Sequence, residues 1–284
     1  MKCTLSLEVF PPKDRASTDA FRETLAELSP LPAAFCSVTY GAGGSDAHRT
    51  DRIVRSLSSD GPFEPAGHLT CVGESRDETD RVARGWAGAG VRRIVALRGD
   101  MPDVGAPFAP HANGYTSVPE LIAGLRAIAD FDISVGCYPE GHPESSSAAA
   151  DLAHLRRKLD AGASRAITQY FFDLETFLRF RERAARAGIE HDLVPGVLPV
   201  FDLARVVAFS ERCGATVPAW LVERFTGLDR QQQAQTAIET ATELCLQLIT
   251  SGVEHIHLYT LNRADLALGV GRGLGLVPEL ELAA

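Results

Sequence analysis

Short apolar, strand-like runs recur along the chain, separated by segments with helical spacing. The runs lie at residues 6–10, 35–40, 67–72, 93–97, 133–138, 166–172, 193–200 and 255–261. The intervening stretches, at 17–28, 47–58, 76–89, 117–129, 146–162 and 174–188, repeat apolar positions at helical spacing. Two more, 202–213 and 230–251, precede the last strand, and a final helix starts near Arg263. Strand and helix therefore alternate eight times. This predicts a closed parallel (β/α)8 barrel of the TIM type, one domain over residues 1–284.

The competing architecture is an open doubly wound sheet, which would show GxGxxG after its first strand. That position reads Phe10-Pro11-Pro12-Lys13 instead. The late cluster Gly269, Gly271, Gly273 and Gly275 has the wrong spacing and is expected to form a C-terminal loop. The Pro/Gly-rich stretch 101–114 follows the fourth strand and is expected to be an active-site loop, because barrel chemistry sits where strands end.

Composition narrows the class. The chain has 284 residues, is 45% hydrophobic and carries a net charge of -9, which disfavours non-specific nucleic-acid binding. No stretch reads as a signal peptide, and no apolar run approaches the ~20 residues that span a bilayer. Six dispersed cysteines without a CxxC pair point to a reducing cytoplasm.

Several side chains bear on chemistry. Glu8 lies between Leu7 and Val9 in the first strand; burial there would raise its pKa and make it a proton donor, while the plainer reading is an outward or hydrogen-bonded carboxylate. Leu97-Arg98-Gly99-Asp100 closes the fourth strand with a close-approach glycine, a phosphate-pairing cation and a carboxylate at the mouth. Tyr138-Pro139-Glu140-Gly141-His142-Pro143-Glu144 closes the fifth. In the next helix Asp151, His154 and Lys158 fall one turn apart beside the Leu152, Leu155 and Leu159 stripe. That face is either solvated or a diphosphate and ribose site. Gln169 with Tyr170, Phe171 and Phe172 can grip a planar heterocycle, although aromatic runs more often form core. No HExxH or Cys/His cluster suggests a metal. The three lysines lie outside strand centres, which argues against a Schiff-base aldolase.

Taken together, these segments resemble the methylenetetrahydrofolate reductases. The similarity runs from Leu7-Glu8-Val9-Phe10-Pro11-Pro12-Lys13 to Leu258-Tyr259-Thr260-Leu261-Asn262-Arg263. Between them, in family order, stand Ser37-Val38-Thr39-Tyr40-Gly41-Ala42, His68-Leu69-Thr70-Cys71, Leu97-Arg98-Gly99-Asp100, the Tyr138–Glu144 loop, Arg165-Ala166-Ile167-Thr168-Gln169, Pro195-Gly196-Val197-Leu198-Pro199 and Pro218-Ala219-Trp220. The resemblance implies a barrel carrying FAD at its strand ends. NADH or NADPH would give hydride to the flavin and the flavin to 5,10-methylenetetrahydrofolate, forming 5-methyltetrahydrofolate, or the reverse.

It also implies roles. Glu8 matches the general acid and Asp100 the carboxylate near flavin and pterin. Thr39, Tyr40, His68, Arg98, Gly99, Asp100, Tyr115, Thr116, Tyr138, His142, Asp151, His154, Arg157 and Lys158 match FAD contacts. Glu8, Thr39, Gln169, Arg205, Phe209 and Arg263 match substrate contacts, with Arg263 facing the folate tail. His154 replaces an expected Asn, and Arg205 an expected Gln. No regulatory domain is expected after the barrel. The expected partners are small-molecule substrates only, with no nucleic acid and no membrane, in a homo-oligomer. Two other classes compete: a metal-dependent barrel lyase using Glu8, Asp100 and a histidine, and a non-catalytic flavin- or pterin-binding protein.

Overall fold

A computed structural model describes residues 3–14, 16–41, 47–101, 103 and 106–278. Ala42 of the quoted segments, and part of the 101–114 loop, lie outside them. The strands are β1 (Thr4–Val9), β2 (Ala33–Val38), β3 (Pro65–Thr70), β4 (Arg93–Leu97), β5 (Asp132–Cys137), β6 (Arg165–Thr168), β7 (Asp192–Val194), β8 (Gly196–Val197) and β9 (His255–Tyr259). The helices are α1 (Ala16–Leu28), α2 (Ala47–Asp60), α3 (Arg76–Gly88), α4 (Val118–Ile128), α5 (Ala148–Asp160), α6 (Leu174–Arg186), α7 (Leu203–Cys213), α8 (Ala219–Phe225), α9 (Arg230–Thr250) and α10 (Ala264–Gly273). All strand pairs are parallel, in the order β7-β6-β5-β4-β3-β2-β1-β9-β8.

β7 and β8 are two halves of the predicted seventh strand, separated by Pro195. Proline has no N–H to give the ladder. The first half pairs with β6 and the second with β9, so this broken strand closes the barrel. The break is tied on both sides: His257 N–H donates to the Pro195 carbonyl at 2.9 Å, and Gly196 N–H to Thr168 Oγ1 at 2.9 Å.

The period-2 alternation of β1 sorts its side chains. Leu5, Leu7 and Val9 join the large core between sheet and helices, with Phe21, Leu25 and Leu28 of α1. Ser6 and Glu8 take the opposite face, toward the barrel interior. That interior is filled by a small apolar cluster of Phe35, Ala66, Val95, Ile167 and Val194. Below it, Asp132 is shared by Arg93 and Arg165, the latter at 2.8 Å. Helix starts are fixed by capping side chains, including a Ser75–Glu78 box on α3 and an Asp229–Gln232 box on α9.

One expectation is corrected, and one helix adds to those expected. Gly269, Gly271 and Gly273 do not form a loop; they lie within α10. A Cβ at each would collide with Ile238, Leu31 and Thr242 respectively, so the missing side chains let α10 pack against α9 and the turn between α1 and β2. Helix α8 was not foreseen. Its signal is faint: Pro218 before the first turn and a buried Leu221–Phe225 pair at i, i+4.

Candidate active site

Glu8 ends the β1–β9 ladder, flanked by Ser37 of β2 and Tyr259 of β9. Its side chain is 17% exposed. Oε2 lies 3.4 Å from His68 Nε2 of β3 and 3.8 Å from His257 Nε2 of β9. Burial pushes this carboxyl up, but the hydrogen bond from His257, helped by the electrostatic pull of both histidines, outweighs it and holds it below the usual carboxylate range. The expectation that burial would raise it is therefore corrected for the free chain. Burial pushes His68 down in turn, so this imidazole resists protonation, and its Nε2 has no hydrogen-bond partner. Behind the carboxylate a polar file runs inward: His257 Nδ1 to Ser6 Oγ at 2.7 Å, then Ser6 Oγ to His255 Nε2 at 2.9 Å. Burial, with cationic neighbours, lowers His255 to about 4.

A cavity of about 410 Å³ opens at the ends of β4 and β5. Of the residues singled out in the sequence, Arg98, Gly99, Asp100, Thr116, Tyr138, His142, Asp151, His154 and Lys158 line it. Gly99 takes a left-handed φ of 82°, which a larger residue there would adopt only under strain. Lys158 is 8% exposed, and its ammonium donates to the Gly136 carbonyl at 2.6 Å. The solvated-face reading thus fails for Lys158. Burial lowers its pKa, and burial beside Lys158 and Arg157 lowers His154 to about 4. Asp151 accepts from Ser145 Oγ at 3.1 Å and from the His142 N–H at 3.4 Å. Tyr138 and His142 meet edge-on, with centroids 4.6 Å apart.

The sequence reading did not single out Glu144 as a site residue, although its motif contained it. Glu144 lines the cavity and clamps the Arg98 guanidinium at 2.6 and 2.7 Å. An anion that recruits Arg98 must first displace this pair. Phe108, also unforeseen, lies under the same guanidinium at 5.3 Å.

Five other expected cofactor contacts do not line the cavity. Thr39 caps β2, its N–H donating to Val9 O at 3.1 Å. Tyr40 is buried, and His68 faces Glu8. Tyr115 is 2% exposed and donates its hydroxyl to Asp80 at 2.6 Å. Arg157 reaches back to His154 Nδ1 at 3.2 Å.

The remaining residues follow β6, β8 and β9, beginning beside β5, where the Gln169 N–H donates to the Cys137 carbonyl at 2.7 Å. Gln169 Oε1 accepts from the Tyr170 N–H at 3.0 Å. Phe209 is 49% exposed and stacks on Tyr170, with centroids 6.3 Å apart. Tyr170, Phe171 and Phe172 are all buried, as the core reading of that run expects. Arg205 has an 88% exposed side chain and pairs with Asp202. Arg263 lies over the Phe201 ring at 3.8 Å and pairs with Asp265 at 2.6 Å. Just before it, Leu261 and Asn262 take left-handed φ values of 51° and 56°, a conformation that costs a leucine about 1–2 kcal/mol. Among the described residues no three His, Cys, Asp or Glu side chains are grouped to hold a metal ion, and no helix is long and apolar enough to cross a membrane.

Comparison with known proteins adds to this geometry. The methylenetetrahydrofolate reductase family profile matches residues 1–275. The chain is 41% identical over 278 residues to 5,10-methylenetetrahydrofolate reductase of Escherichia coli (strain K12), covering 97% of this chain and 92% of that one. It is 32% identical over 295 residues to a probable methylenetetrahydrofolate reductase (NADH) of Oryza sativa subsp. japonica, covering 99% of this chain and 50% of the rice protein. Among solved structures, a Clostridium thermocellum protein that binds two copies of 5-methyl-5,6,7,8-tetrahydrofolic acid superposes with a TM-score of 0.66 at 12% identity, covering 96% of each chain. That last likeness concerns the fold.

Proposed function

Because the chain belongs to the methylenetetrahydrofolate reductase family, we propose that it carries hydride from NADH or NADPH, by way of FAD held in the β4–β5 cavity, to 5,10-methylenetetrahydrofolate. The product is 5-methyltetrahydrofolate, and the same site runs the reverse oxidation when the methylated folate is supplied. The observation that carries this reading is Lys158. An ammonium kept inside a cavity wall and bonded to one carbonyl has two further N–H groups to offer an anion. The cavity's donor set fits a flavin dinucleotide. Arg98 and Lys158 suit the diphosphate, Asp151 suits a ribose hydroxyl, and Gly99 allows close approach of the backbone. Bound there, FAD would supply the two-electron relay between nicotinamide and folate.

The protein's own part is to bind, orient and move a proton. Glu8 delivers the proton that lets the folate nitrogen leave the methylene bridge. Its two imidazoles keep it ionised in the free chain, so the proton is acquired when substrate covers the mouth and removes water. Asp100 sets the field beside both rings. Gln169 and Phe209 hold whichever substrate occupies the shared space, and Arg263 takes the carboxylates of the folate tail. Thr39, Tyr40, His68, Thr116, Tyr138, His142, His154 and Arg157 complete the flavin and substrate walls. Tyr115 fits this role least, since its hydroxyl is committed to Asp80. Arg205 reaches substrate only by leaving Asp202. The name of the rice relative supports NADH as donor. Six free cysteines suit a cytoplasmic home.

The purified protein is expected to be yellow, with flavin released by heat or acid, and, with oxygen excluded, to oxidise NADH only while a folate acceptor is present or until its flavin is reduced. A colourless protein that takes up no added FAD would defeat the reading. Lys158→Ala is expected to weaken FAD binding by roughly 10- to 100-fold, the scale of one charge-assisted hydrogen bond. Fluorescence titration of the apoprotein measures it; an unchanged affinity returns Lys158 to a purely structural role.

A further inference from the structure

The β1–β9 ladder ends at the pair Glu8 and Tyr259. Beyond it β1 runs into Pro11 and Pro12, which have no N–H, so the Phe10 N–H is the last donor on that edge. Asn262 takes both of the Phe10 backbone groups. Its Oδ1 accepts the Phe10 N–H at 2.8 Å, and its Nδ2 donates to the Phe10 carbonyl at 2.9 Å. The side-chain amide thus acts as one more rung, made where the backbones have already diverged. Thr260 locks the base of the turn: its hydroxyl donates to Glu8 O at 2.6 Å and accepts the Asn262 N–H at 3.1 Å.

This clamp holds an unfavourable backbone. Asn tolerates the left-handed region, but Leu261 before it does not. The result is a rim in which Leu261 and Phe10 are 40% and 42% exposed, large apolar side chains that packing alone would cover. Arg263 follows directly, laid over Phe201.

We propose that Asn262 is a positioning residue for the folate half of the reaction: its clamp on Phe10 fixes Phe10, Leu261 and Arg263 in register with Glu8. This rests on the reading of the site given above. Two variants separate the clamp from the backbone it permits. Asn262→Gly keeps left-handed freedom and deletes both hydrogen bonds. Asn262→Asp keeps the shape but, when ionised, sets a carboxylate oxygen against the Phe10 carbonyl. Protonated, it again offers one donor and one acceptor.

The affinity for 5-methyltetrahydrofolate and the KM for methylenetetrahydrofolate should both worsen about 10-fold in Asn262→Gly, the scale of one or two hydrogen bonds. Its kcat should stay within about two-fold, as for lost ground-state binding. The NADH half-reaction should keep its rate in both variants, which also reports that they fold and hold flavin. Measured against wild type at each pH, Asn262→Asp should be as weak as Asn262→Gly near neutrality. It should recover as pH falls through the carboxylate range, ~4, while Asn262→Gly does not. Wild-type folate affinity in Asn262→Gly, no low-pH recovery in Asn262→Asp, or an equal loss in the NADH half would each overturn the proposal. A wild-type protein that turns over no folate overturns the reading of the site, and this proposal with it.

Discussion

Glu8→Gln is expected to leave the NADH half-reaction near its wild-type rate and to slow the folate half by roughly 10²-fold or more, the usual scale of general acid catalysis. Hydride leaving NADH needs no proton at a folate nitrogen. Opening the methylene bridge does, because an amine departs far more readily once protonated. Gln keeps the size and polarity of Glu8 but has no proton to deliver. The environment adds a pH signature. Since the imidazoles of His68 and His257 favour the carboxylate, the protonated acid is scarcer at higher pH. The folate rate should therefore fall as pH rises while the NADH rate does not follow it, and in Glu8→Gln this divergence should vanish. Stopped-flow measurement of each half decides. Wild-type folate reduction by Glu8→Gln would make Glu8 structural and require another acid.

The largest stability effect is expected at Trp86. This side chain of α3 is fully buried, and its Nε1 donates to Asp51 at 2.8 Å. The indole fills the space left by Gly67 of β3, where any Cβ would strike the ring. Trp86→Ala removes a ring that neither neighbour can replace and should cost about 3–5 kcal/mol. At 2–4 °C per kcal/mol for a domain of this size, that lowers Tm by roughly 10 °C. Trp86→Phe keeps most of the volume but leaves Asp51 one donor short, so its cost should be about 1–2 kcal/mol. Thermal melts at one fixed FAD concentration compare the two, since ligand binding alone shifts Tm. A drop of only a few degrees for Trp86→Ala would mean that the layer collapses onto Gly67.

The order of strands and helices was legible because the apolar period switches cleanly between two and about 3.6. Edges were less so. The first strand reads as 6–10 but spans Thr4–Val9, because Phe10 is apolar by letter yet sits at the exposed rim. The glycines of α10 read as a loop because their partners, Leu31, Ile238 and Thr242, are brought there only by the tertiary fold. Glu8 stood out as a carboxylate in an apolar strand, but the direction of its pKa did not. The imidazoles that decide it come from β3 and β9. Lys158 shares a helix face with Asp151 and His154, and only the docking of α5 on β5 distinguishes a buried ammonium from a solvated one. The Arg98–Glu144 pair joins two strand ends that nothing local connects.

The seam between β1 and β9 gives the chemistry a place in time. Ser6 and His257, bonded across it, are 251 residues apart. Closing so long a loop adds little to the equilibrium cost, which grows only with the logarithm of length. The delay is larger: at roughly 5–20 residues per second, translation separates the two strands by about 10–50 seconds. Through that interval one edge of β1 stays unpaired, a template open to wrong partners. Glu8 meanwhile waits without His257. The carboxylate proposed as proton donor therefore acquires the imidazole of His257 only when β9 docks.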